Sequence, residues 1–187
     1  MSHLCSEAEL TALMGAVGAQ EEDGIAQVDR MLASYPDDPR LHFLRGSMLA
    51  SIGRPIEALA ALKRAVGLAP DFAIARFQLG FFQLTSGEAG DALSTWGPLA
   101  MLPADHYLRM FVGGLTFLIR DEFGPAVAEL KRGIATNAGN LPLNRDMQLI
   151  VAKVQELDEP EAPATGSDAA SATSLLLGQF APRGRAN

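Results

Sequence analysis

At 187 residues the chain is long enough for one domain with a substantial core plus a tail. Hydrophobic residues make up 48% and charged residues 20%, and the formal net charge of -7 disfavours a general attraction to nucleic acid or anionic lipid. A single cysteine, Cys5, excludes an intramolecular disulfide and a thiol-rich metal cluster.

The first residues carry acid where a secretory signal would carry Lys or Arg, and the longest near-apolar run, Met110 to Ile119, is half a membrane span. A protein of the cytoplasm with no membrane span is the expectation. Ala8, Leu10, Leu13, Met14 and Val17 predict a helix over 6–20. Glu21 to Gly24 reads as a turn. A second helix is expected from about Ile25 to Ser34, with Ile25, Val28, Met31 and Leu32 inward. Tyr35-Pro36-Asp37-Asp38-Pro39 ends it, because proline cannot continue a helix.

Three helix pairs follow. The first occupies 39–72, its first helix ending near Gly53, a residue suited to the left-handed turn, and its second opening on Pro55. The next, 73–103, repeats that layout with Gly87 in the turn. Gly97-Pro98 falls inside its second helix, where a kink or early break is expected. The third, 107–140, turns at Asp121-Glu122. Residues 141–157 predict a last helix, with Asn140 as N-cap and Leu143, Met147, Ile150, Val154 and Leu157 along one side. From Asp158 the composition shifts to Pro, Ala, Ser, Thr, Gly and acid, the signature of a disordered tail. Within that tail lies one apolar knot, Leu175, Leu176, Leu177 and Phe180.

One ruler orders the pairs. Gly46, Gly80 and Gly114 are spaced 34 residues apart, and so are Ala58, Ala92 and Ala126. With the Pro residues that close or open the helices, these positions resemble the tetratricopeptide repeat family. The resemblance covers 39–140 well and 6–36 as a degenerate unit. It implies an all-α fold in which antiparallel helix pairs stack into a right-handed α-solenoid with a capping helix at the C-terminal end. Leu62, Trp96 and Leu130 fill the positions expected to face the next helix. His42, Arg76 and Met110 stand where the family has a large residue, and Gly133 where it has Ala.

In that family the first helices line a concave groove, and ligand contacts fall three before, one after and four after the small residue. Here the face is Phe43, Ser47 and Ala50; then Ile74, Phe77, Phe81 and Leu84; then Leu108, Phe111, Leu115 and Leu118. So apolar a face suits a hydrophobic peptide or helix, and exposed patches of that kind mark binding sites. The alternative is that neighbouring helices cover these residues as core, although positions of the Leu79, Phe82, Leu115 or Phe117 type already supply a core side. Phe77→Glu and Phe81→Glu are expected to abolish binding and leave helicity intact. Family members that grip acidic carboxylate tails use Lys, Arg and Asn on this face, so that ligand class is disfavoured.

Catalysis has little to stand on. His3, His42 and His106 lack a nearby Ser or Cys nucleophile in sequence, and no phosphate loop, HExxH or CxxC occurs. No enzyme activity, metal or cofactor is expected. The leading function is a protein-protein interaction module, an adaptor or scaffold for an apolar segment of a partner protein. Two others stay open: a chaperone similar in architecture to the class II chaperones of type III secretion, shielding a secreted client, and a regulatory subunit of an enzyme complex. A homodimer is compatible with each. The tail knot is a candidate occupant of the groove in cis.

Overall fold

The computed structural model describes residues 4–17 and 21–158, and the tail knot at 175–180 lies outside them. Among the described residues there are helices and no strand: α1 (Glu7–Val17), α2 (Glu21–Ser34), α3 (Pro39–Ser51), α4 (Pro55–Leu68), α5 (Ala73–Thr85), α6 (Ala89–Trp96), a 3-10 turn (Gly97–Met101), α7 (Tyr107–Ile119), α8 (Phe123–Thr136) and α9 (Leu141–Asp158). None of them is long and apolar enough to cross a membrane. The helices fall into two compact units, one ending at Leu79 and one starting at Gly80, so that α5 runs through the division.

The ruler reappears in the helix boundaries. α3, α5, α7 and α9 start 34 residues apart, and so do α2, α4, α6 and α8. The turns repeat as well. After α3, α5 and α7 a backbone N–H reaches back five residues: Arg54 to Leu49, Glu88 to Gln83, Glu122 to Phe117, each at 2.9 Å. This closure needs a left-handed residue just before it, supplied by Gly53 (φ 74°), Gly87 (φ 90°) and, without glycine, Asp121 (φ 58°). Between pairs, Asp38, His106 and Asn140 cap α3, α7 and α9 with side-chain acceptors for the backbone N–H of Arg40, Leu108 and Leu143. His106 therefore has a structural task, and its ring stacks on Tyr107.

Small residues set the helix spacing inside the pairs. A Cβ on Gly46 would lie 2.7 Å from Leu62, and one on Gly114 2.6 Å from Leu130. The Trp96 indole occupies the matching space over Gly80. Leu62, Trp96 and Leu130 are buried. Each of them meets the glycine of its own pair. Gly133 is explained in the same way, since the Phe111 ring sits 2.5 Å from where its Cβ would be.

Two further expectations change. Residues 21–24 are the first turn of α2 rather than a loop, in keeping with the preference for acid at a helix N-terminus. Met14 and Leu157, expected inward, are exposed, whereas Leu13 of α1 and Leu143, Met147, Ile150 and Val154 of α9 are buried. The Gly97-Pro98 break occurs as expected, with α6 ending at Trp96 and the chain tightening into the 3-10 turn.

Candidate peptide-binding face

The predicted face divides by burial. Phe77, Phe81, Leu84, Leu108, Phe111, Leu115 and Leu118 are buried, while Phe43, Ser47 and Ile74 are half-buried. For the seven, the open apolar surface expected from sequence is absent. The physical reason is clearest in α5, where Leu79 and Phe82 are buried as well and Gln83 and Thr85 with them. From Leu79 to Thr85 every residue of α5 is buried, so this part of the helix lies in the core on all sides. Gln83 and Thr85 stay satisfied inside it, Gln83 by accepting from Thr95 Oγ1 at 2.7 Å and Thr85 by donating to the Phe81 carbonyl at 3.0 Å. In the second unit Phe111 is held against Gly133 on α8. Phe77→Glu and Phe81→Glu would thus place a carboxylate in the core, and intact helicity is no longer the expectation for either.

What remains accessible lies in the first unit. Phe43 and Ser47 are one turn apart on α3, and the Phe43 ring meets Phe72 edge-on at 5.4 Å. Ser47 Oγ is buried and finds no hydrogen-bond partner, although a helical serine ordinarily donates to a carbonyl one turn back. An unpaired buried hydroxyl costs about 1–3 kcal/mol.

The first unit is tied down beside this face by a cluster that the sequence did not announce. Asp38 is fully buried; its carboxylate accepts from Arg40 Nε (3.0 Å) and Nη2 (2.8 Å) and from the Cys5 backbone N–H (3.0 Å). Arg40 also donates to the Cys5 carbonyl and pairs with Glu7. Burial raises the Asp38 carboxyl, but the bonds from Arg40 and Cys5 outweigh it and hold it down at about 2. Burial, with Asp38 nearby, pushes the Cys5 thiol up to about 11, so this thiol is not an activated nucleophile. Two polar residues at the face's edge also serve the backbone: His42 Nε2 lies 2.8 Å from the Pro36 carbonyl, and Arg76 donates to the Pro70 carbonyl at 2.7 Å.

In the second unit, a cleft of about 400 Å³ opens beside the 3-10 turn, over Leu99, Ala104 and Val112. Its charged residues are engaged internally, Arg109 with the Leu102 carbonyl and Arg132 with Glu129. Among the described residues no group of three or more His, Cys, Asp or Glu is placed to hold a metal ion. No family model matches the chain, and no curated protein is significantly similar to it.

Proposed function

We propose that the chain is a tetratricopeptide-type, right-handed α-solenoid that acts in the cytoplasm as an adaptor or scaffold, binding an apolar segment of a partner protein. The observation that carries this reading is that Phe43 and Ile74, large apolar residues of the predicted face, keep partial exposure in the first unit. Phe43 offers an aromatic edge to an apolar side chain. The buried residues at the other predicted positions act as the floor that fixes the helices. The segment at 175–180 has the apolar chemistry of such a ligand and would compete with a partner for the patch.

The test uses a fluorescein-labelled peptide with the sequence of residues 171–187, followed by anisotropy on the full chain and on a chain lacking those residues. Binding is expected to be tighter to the shortened chain, with circular dichroism unchanged. Ser47→Ala is expected to raise thermal stability, because it removes an unpaired buried hydroxyl, and Phe43→Ala to weaken the peptide several-fold. If Phe43→Ala leaves the affinity unchanged, the patch is not the site. Equal binding to both chains would refute the competition.

A further inference from the structure

A second cleft, of about 560 Å³, runs along the seam between α1 and α2, within the first unit. One wall is Glu9, Ala12, Leu13 and Ala16; the other is Gln27, Arg30, Met31 and Ser34. Each set follows the i, i+3, i+4, i+7 spacing of a single helix face, so two antiparallel faces line a groove about two turns long. Ala12 and Ala16 are exposed and small, which lets a third helix approach closely. Leu13 and Met31 make the floor apolar.

The charges around the groove are unequally occupied. Glu9 is saturated, accepting from the Ser6 hydroxyl at 2.7 Å and the Tyr35 hydroxyl at 2.9 Å. Asp29, next to Arg30 in sequence, pairs instead with Arg45 at 2.6 Å. Arg30 is exposed and makes no ion pair or hydrogen bond among the described residues. A guanidinium left over an apolar groove is complementary to a carboxylate carried beside an apolar stripe.

We infer that the α1–α2 groove docks an amphipathic helix of a partner protein, with its apolar residues on Leu13 and Met31 and an acidic side chain paired to Arg30. This site is separate from the Phe43–Ser47 patch and does not depend on it. A helix fits better than an extended strand because both walls repeat at the helical spacing and expose no unpaired backbone edge.

The probe is a fluorescein-labelled helical peptide with Leu at i, i+3, i+4 and i+7 and one Glu beside them, compared with a twin carrying Lys in place of Glu. On the full chain the Glu peptide is expected to bind at least tenfold more tightly than the Lys peptide. Arg30→Glu should reverse that preference, and Ala12→Trp, which plugs the groove, should weaken both. Arg30→Gln gives a milder variant that erases the preference if Arg30→Glu fails to fold. Phe43→Ala should leave these affinities unchanged, which separates this site from the patch. Unaltered preference in Arg30→Glu or Arg30→Gln, undiminished binding in Ala12→Trp, or Phe43-dependent binding would each overturn the inference. So would Arg30-dependent capture of oleate when neither peptide binds, since the groove would then be a lipid site.

Discussion

Replacing Gly80 by Ala should reverse the usual effect of a helical Gly→Ala change. In an unobstructed helix interior the substitution stabilises by about 1 kcal/mol, because Ala restricts the unfolded chain. Here the new methyl would enter the space filled by the Trp96 indole, a rigid side chain only 1% exposed. Overpacking a tight core costs about 1–3 kcal/mol, and a buried indole can yield little, so the upper part of that range applies. The net expectation is a loss of about 1–2 kcal/mol. With a typical urea slope this lowers the unfolding midpoint by roughly 0.5–1 M. Trp96 is the only tryptophan in the chain, so its emission follows both the unfolding and the local displacement. Gly90→Ala, in the helix that carries Trp96 but with nothing within 4 Å of its Cβ, is the internal control and should be neutral or stabilising. If Gly80→Ala is as stable as the parent chain, or more so, the close approach does not exist and the account of the helix spacing fails.

Two further predictions concern the polar clusters. The Asp38 carboxyl is held at about 2 against an ordinary 3.8, so its contribution, about 2 kcal/mol, is present above pH 4 and is lost as pH falls toward 2. Asp38→Asn should therefore be less stable than the parent at pH 7, and the difference should narrow in thermal melts taken down to pH 2; a constant difference would refute the assignment. At the α8–α9 corner, Asn137 Nδ2 donates to Asn144 Oδ1 and Asn144 Nδ2 to the Asn137 carbonyl, both at 2.8 Å and both buried. Asn144→Leu strands these groups at a cost of about 1–3 kcal/mol, and amide exchange should speed up in α9 before α7.

The helix register was legible because local chemistry writes it: prolines that open or close helices, glycines at left-handed turns, and small residues at a fixed period. Gly53, Gly87 and the Gly97-Pro98 break each act within a few residues of themselves, and each occurs where the sequence places it. The Asp38–Arg40–Cys5 cluster and the asparagine corner were not legible. The first depends on a contact 33 residues away, and the second on how α9 returns onto α8. Within the helix-ending stretch Tyr35 to Pro39, Asp38 is fully buried whereas Asp37 pairs with Arg64. No local pattern distinguishes the two carboxylates.

The predicted face was the least legible part, and Gly133 explains why. Read against the repeat pattern, a glycine where Ala is usual looks like a weakened match. In the fold it is a space that receives the Phe111 ring, turning a residue predicted to meet ligand into one that packs on α8. Departures from a repeat pattern therefore carry information about the neighbouring side chains rather than about the quality of the repeat. Ser47 shows the converse: a buried Phe such as Phe111 needs no partner, whereas the buried, unpaired Ser47 hydroxyl costs stability.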